Sequence, residues 1–368
     1  MKRWKRPLGW FSKFVLVLNG IVILGLLLSY LAPYVDPKLF WPFAFIGIAY
    51  PILLLITVLF IAYWLFRKPK VALLSVLSLL IGWNSLTKTV QFGSNVEEEQ
   101  NSSFLRIMSY NVHLFKGYGT SSKVHTTQDI LKIFKEVDPD IICIQKFYTR
   151  KKGEKDVRRS LIKALGYKHY YFEEVAENDF DAYGIAIFSK YPIVETGNLP
   201  INIALKNVNR IQYADIKKDD KVVRVYNVHL QSIGFKKEDY AFINNRLSNV
   251  DEDLSSTRRI GGRLKNAFIK RSEQVNLLYD HIQQCEIPYV VAGDFNDTPT
   301  SYSVNKIARD MNNAFAEKGS GWGVTYNGDF PNFQIDYILA SKEFKVKTFG
   351  IRPERISDHY PIWSDLEL

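Results

Sequence analysis

Two apolar stretches close to the N-terminus, residues 14–32 and 40–66, constrain this chain more than any other feature. A helix that crosses a bilayer needs about 20 mainly apolar residues, and both stretches are long enough. A third, residues 71–87, is shorter and carries Ser75, Ser78, Asn84 and Ser85, so it is marginal as a span. A cleaved leader is the competing reading of the first stretch. It is disfavoured because the second stretch follows directly and no small-residue cleavage site is clear. The chain therefore reads as an anchor of two or three transmembrane helices, residues 1–92, with a soluble part behind it.

Charge sets the expected orientation. Lys2, Arg3, Lys5, Arg6 and Lys13 precede the first stretch, and Arg67, Lys68 and Lys70 separate the second from the third. Between the first two stretches only Lys38 appears, offset by Asp36. Basic loops stay in the cytoplasm, which places the N-terminus and the 67–70 loop there. If the third stretch spans, the soluble domain lies outside the cytoplasm; if it only rests on the surface, the domain is cytoplasmic. The first is preferred, giving a multi-pass protein of the cell membrane with an extracytoplasmic domain. The net charge of +10 is no argument for a nucleic-acid partner, because residues 1–103 hold 10 basic and 4 acidic residues and so carry most of it. Residues 93–103, with Glu97-Glu98-Glu99, read as a linker.

From residue 104 onward, short β-rich runs alternate with helical stretches. Strands are expected at 105–112, 140–145, 168–173, 184–189, 212–217, 222–230, 289–292 and 335–340. Helices are expected at 127–137, 160–165 and 266–284. Hairpins mix with helical crossovers, as at the Asp219-Asp220 turn. That mixture suggests two sheets packed face to face with helices outside, rather than one doubly wound sheet. Residues 236–265 interrupt the pattern with a long polar run, read as a functional or solvated insertion. The two cysteines, Cys143 and Cys285, are too few for a disulfide framework and are expected to be free thiols.

Polar motifs follow several strands. They are Ser109-Tyr110-Asn111-Val112-His113, Asn227-Val228-His229-Leu230, Gly293-Asp294-Phe295-Asn296-Asp297, Gln334-Ile335-Asp336-Tyr337 and Ser357-Asp358-His359-Tyr360-Pro361. Each alone is weak, since an Asp after a strand is more often a helix cap. Ser357, Asp358 and His359 cannot form a hydrolase triad by themselves, because neighbours on an extended chain point to opposite faces.

Taken together and in this order, the motifs resemble the endonuclease/exonuclease/phosphatase superfamily over roughly residues 104–368. The resemblance implies a four-layer α/β/β/α sandwich of the DNase-I-like type, preceded here by the N-terminal transmembrane helical region. It implies a metal-dependent phosphoesterase using Mg²⁺ or Mn²⁺, a hard cation that acts as Lewis acid and template. Asp294 would then activate the attacking water and Asn296 hold it or the phosphate. His359 would stabilise charge or shuttle a proton, His229 would donate to a phosphate oxygen, and Asp336 would orient a catalytic histidine. Asn111 and Asp358 would sit at the metal, and Tyr183 would contact phosphate. The implied partners are the membrane and a phosphate-ester substrate, phospholipid-like or nucleic acid; no obligate protein partner is evident.

Two positions depart from the family pattern. Lys146, in Gln145-Lys146-Phe147, stands where the family carries its main metal-binding glutamate, and an ammonium repels a divalent ion. Gln334 stands where related sequences tend to have arginine. The alternative reading is thus a catalytically impaired pseudoenzyme that binds a phosphate-containing ligand.

Overall fold

The computed structural model describes residues 7–93, 103–117, 126–153, 156–201, 209–246, 254–328 and 332–368. The basic residues before Pro7 and most of the expected linker lie outside these. The N-terminal helices are α1 (Trp10–Ser29), α2 (Pro37–Phe40), α3 (Pro42–Ile48), α4 (Tyr50–Arg67), α5 (Pro69–Ile81) and α6 (Trp83–Thr89), followed by β1 (Gln91–Phe92). Helices α1 and α4 are each long and apolar enough to cross a membrane. The third stretch is a bent pair: α5 and α6 meet at 71°, and Gly82 marks the break. Arg67 Nε donates to Ser12 Oγ at 3.3 Å, so the start of α1 lies beside the end of α4. Helices α2 and α3 form the opposite end of the bundle.

The soluble part runs β2 (Leu105–Asn111), α7 (Thr127–Val137), β3 (Ile141–Arg150), α8 (Val157–Leu165), β4 (His169–Glu177), β5 (Asp181–Ser189), β6 (Ile193–Asn198), β7 (Arg210–Lys218) and β8 (Lys221–His229). It continues with α9 (Lys237–Arg246), α10 (Leu254–Ile282), β9 (Tyr289–Asp294), α11 (Tyr302–Ala308), β10 (Met311–Asn313), α12 (Ala314–Lys318) and β11 (Ser320–Gly321). The last strands are β12 (Asp336–Ser341), β13 (Lys345–Val346), β14 (Gly350–Ile351) and β15 (Ile362–Glu367). One sheet has the order β13-β15-β2-β3-β5-β4 with β14 on β15, and the other has β10-β12-β9-β8-β7-β6.

Pleating sorts the side chains of each sheet onto two faces. Ile107, Ile141, Val225 and Val290 point into the layer between the sheets. Met108, Tyr110 and Ile142 point outward and pack with Phe134 of α7 and Leu161 of α8. Tyr226 and Val291 point out of the second sheet onto Val275 and Leu278 of α10. The result is helix, sheet, sheet, helix: the four-layer sandwich expected from the motifs. The cysteines are free thiols, Cys143 buried between the sheets.

The polar run at 236–265 is not a structureless insertion. It contains α9 and the first turns of α10, with 247–253 outside the described residues. The buried Asp239 carboxylate holds Arg259 Nε at 2.8 Å and Arg263 Nε at 3.2 Å, tying the two helices together.

The bundle is docked on this sandwich. Asp36 accepts from Ser272 and, at 3.1 Å, from Asn276 of α10. The rings of Phe45 and Phe268 meet edge to face at 5.2 Å. Thr300 Oγ1 donates to the Gly47 carbonyl at 3.0 Å, and Lys88 Nζ to Asn305 Oδ1 at 2.7 Å. Strand β1 pairs with β11.

Candidate active site

Two parallel strand pairs aim their C-terminal ends at one place. In β2–β3, Asn111 is level with Gln145, and in β8–β9, His229 is level with Asp294. Asp336, opening β12, pairs with Asp294 from the other side. His359 joins through an isolated bridge to Tyr326. Gly293 permits the approach of β8 and β9: a Cβ there would stand 2.0 Å from the Val228 carbonyl oxygen, at φ +154. Gln145 crosses between the sheets, donating to Ser109 Oγ at 3.1 Å and to Asn227 Oδ1 at 2.8 Å.

Past Gln145 the ladder between β3 and β5 shifts register, and Lys146 takes φ +50. This bulge returns Phe147 to the core, where it packs on Phe115 and Phe188. It turns Lys146 toward the ends of the parallel strands. Lys146 Nζ lies 3.8 Å from Asp358 Oδ2. Asn296, at φ +52, and His113, at φ +47, are also in the left-handed region. Non-glycine residues held there cost about 1–3 kcal/mol and cluster at functional sites.

The buried cluster is continuous. Asn111 Nδ2 donates to Asp294 Oδ2 at 2.9 Å and lies 3.3 Å from His359 Nε2. His359 Nδ1 is 3.0 Å from Asp336 Oδ2, and its Nε2 is 3.6 Å from Asp294 Oδ2. His229 Nε2 reaches the same Asp294 oxygen at 3.8 Å. The Asn296 backbone N–H donates to Asp294 Oδ1 at 2.8 Å. Asp358 accepts from Ser357 Oγ at 3.1 Å, with His113 Nδ1 also 3.1 Å away.

These contacts shift the titrations. Burial raises the Asp294 carboxyl to about 6, against the opposing pull of His359 and Lys146. Burial alone would lower His359, but the Asp336 and Asp294 carboxylates outweigh it and push the imidazole up to about 9. Asp358 goes the other way. Its burial opposes ionisation, yet Lys146, His113 and His359 hold the carboxyl far below the usual range.

Of the residues singled out in the sequence, Asn111, His229, Asp294, Asn296, Asp336, Asp358, His359 and Lys146 converge. Lys146, Asn296, Asp358 and His359 line a cavity of about 250 Å³. Tyr183 sits opposite Tyr148 on β5, half-buried, and does not line the cavity. Gln334 is buried, and neither atom of its amide has a hydrogen-bond partner among the described residues. Sequence reasoning assigned no role to His113 or Arg271. The first lies within a quoted motif. The second is fully buried against Asp297 at 2.9 Å, on the part of α10 that the expected helix 266–284 covers.

Two donor sets could be asked to hold the metal. Asn111 and Asp358 share their space with the Lys146 ammonium and His113, so a divalent ion there would face a resident positive charge. Asp294, Asp336 and His359 have ligand atoms within 4.8 Å of one another. The Asp336 and Asp294 carboxylates favour the protonated imidazole of His359, so a cation held here would have to displace that proton. The first set therefore fits a divalent cation poorly, and the second fits one only when His359 has given up its proton.

Paired sheets with polar residues at the ends of parallel strands define a phosphoesterase fold. The chain belongs to the endonuclease/exonuclease/phosphatase family, whose model matches residues 108–359. Residues 12–89 match a domain of unknown function. No curated protein matches the chain. Among solved structures it is similar to an endonuclease/exonuclease/phosphatase from Beutenbergia cavernae DSM 12333, at 20% identity and TM-score 0.52, covering 72% of each chain. It is similar too to humanized D. rerio TDP2, at 13% identity and TM-score 0.51, covering 73% of this chain and 100% of that one. These likenesses are of fold.

Proposed function

We propose that the chain is a membrane-anchored hydrolase of phosphate esters in which the Lys146 ammonium supplies the fixed positive charge that a metal ion supplies elsewhere in the family. The observation that carries this reading is the placement of Lys146 beside Asp358 on the wall of the cavity that His359 and Asn296 also line. The chain then divides into an anchor (1–92), a linker (93–103) and the phosphoesterase domain (104–368).

In this reading a phosphoryl oxygen sits against Lys146, with His229 donating to it, and the ammonium offsets the charge that grows in the transition state. Asp294, oriented by Asn111 and by the Asn296 N–H, takes a proton from water as its oxygen attacks phosphorus. The P–O bond to the leaving group breaks, and His359, aligned by Asp336, gives that oxygen a proton. Asp358 and His113 hold Lys146 in place.

A second reading has its own support: Lys146 is already paired with Asp358, so the site could bind phosphate without turnover. One experiment separates them. The full chain in detergent is assayed on bis(p-nitrophenyl) phosphate with EDTA or with Mn²⁺, beside Lys146→Glu. Turnover by the wild type in EDTA is the expected result. A wild type that needs Mn²⁺ overturns the role given to Lys146. A wild type that is inert in both, with an active glutamate variant, makes the protein a silenced binder.

A further inference from the structure

The cavity beside Lys146 and His359 has one wall that the soluble domain does not supply. Ile48, the last residue of α3 and two positions before α4 begins, lines it. Its neighbour Gly47 is held by the bond from Thr300, and a Cβ on Gly47 would stand 2.7 Å from Ala32 Cβ. The wall is therefore fixed to the end of the apolar helix α4. On the same segment Leu39, Phe40 and Trp41 are exposed, at 85%, 51% and 39%. An aromatic and apolar fringe at the end of a spanning helix marks the level where a bilayer meets water.

The lining is mixed. Lys146, Arg271, Asn296, Asp297, Asp358 and His359 are among its polar residues, while Ile48, Ile233, Phe235, Phe333 and Ile335 form its apolar part. A ligand polar on every side, such as a sugar phosphate, would set hydroxyls against the Ile48, Phe235 and Phe333 part of the wall, where hydrocarbon offers them no partner. A phosphate attached to a hydrocarbon body meets both parts suitably. At about 250 Å³ the space takes a headgroup and the first carbons beyond it, leaving the chains in the bilayer.

We infer that the ligand of this site is a bilayer lipid bearing a phosphate ester, its headgroup taken up at the membrane surface between Ile48 and the Phe235 and Phe333 side. The inference rests on the phosphate-site reading above for the chemistry of the ligand, and not on turnover.

The test uses the full chain in phosphatidylcholine nanodiscs doped with phosphatidic acid that carries a diazirine near its glycerol. After irradiation the labelled peptides are mapped. Label is expected on residues 232–235 and 333–335. Unlabelled phosphatidic acid should compete it away, and glycerol phosphate at the same concentration should not. Ile48→Trp, which fills the wall, should lower that label by about tenfold, the scale of a lost pocket contact. If Ile48→Trp does not fold, Ile48→Ala, which enlarges the wall, should keep the label, and the competition decides. No label above that of a diazirine phosphatidylcholine overturns the inference, as does equal competition by glycerol phosphate. Label without hydrolysis of any phosphoester upholds the lipid ligand and removes the hydrolase reading. Hydrolysis of bis(p-nitrophenyl) phosphate without label does the reverse.

Discussion

Lys146 Nζ stands 3.8 Å from Asp358 Oδ2, so a fixed ammonium occupies the corner of the site where the family pattern calls for a carboxylate and an ion. The bulge in β3 places it there, and the bulge is anchored on both sides. Gln145 bonds across the sheets, and Phe147 is fully buried. The lysine is thus held in the register that the glutamate would take.

Lys146→Glu should therefore create metal binding. Mn²⁺ is expected to leave the wild-type melting temperature unchanged and to raise that of the variant, by an amount equivalent to about 2.7 kcal/mol when the ion is at 100 times its Kd. Without the ion the variant should melt lower than wild type, because the introduced carboxylate and Asp358 would repel. Equal Mn²⁺ shifts in the two proteins would show that the ammonium does not control the corner.

Activity should follow a bell-shaped pH profile. Asp294 must be ionised to accept a proton, and it ionises as pH rises through about 6, so the rate rises there. His359 must be protonated to donate one, and it loses its proton as pH rises through about 9, so the rate falls there. A flat rate from pH 5 to 10 would remove both groups from the chemistry.

Asp336→Asn should lower turnover by about a hundredfold or more, the range for loss of an oriented general acid. It should also move the alkaline limb to lower pH, since the Asp336 carboxylate is the main group raising His359. A drop in rate with an unmoved limb would make Asp336 a structural support only.

Gln145→Leu should destabilise the sandwich. The Asn227 Oδ1 that Gln145 serves would be left buried and unpaired, at a cost of about 1–3 kcal/mol. In a domain of this size that lowers the melting temperature by roughly 2–4 °C per kcal/mol. Circular dichroism melts of the full chain in detergent measure it.

The site was legible in the sequence because phosphate chemistry collects its polar residues where strands end. Asn111, His229 and Asp294 each close an apolar run, so position and chemistry point the same way. The strands followed from the same alternation, and α7 was readable over all of Thr127–Val137 because its apolar stripe is complete. The start of α10 was not. Gly261 and Gly262 each disfavour a helix by about 1 kcal/mol, and its polar side chains show no stripe. What holds it is the pairing of Arg259 and Arg263 with the buried Asp239, a contact between segments that no local pattern carries. The docking of Asp36 on Ser272 was equally hidden, since the two are 236 positions apart.

That docking determines geometry at a larger scale. A catalytic unit on a loose leash samples many heights and tilts above a membrane, and its encounters are those of a particle in a volume. Asp36, Phe45, Gly47 and Lys88 instead seat the sandwich on the helices. For a chain whose α1 and α4 cross a bilayer, the cavity then keeps one altitude and one azimuth. It would serve a single leaflet, and its search for substrate would be two-dimensional.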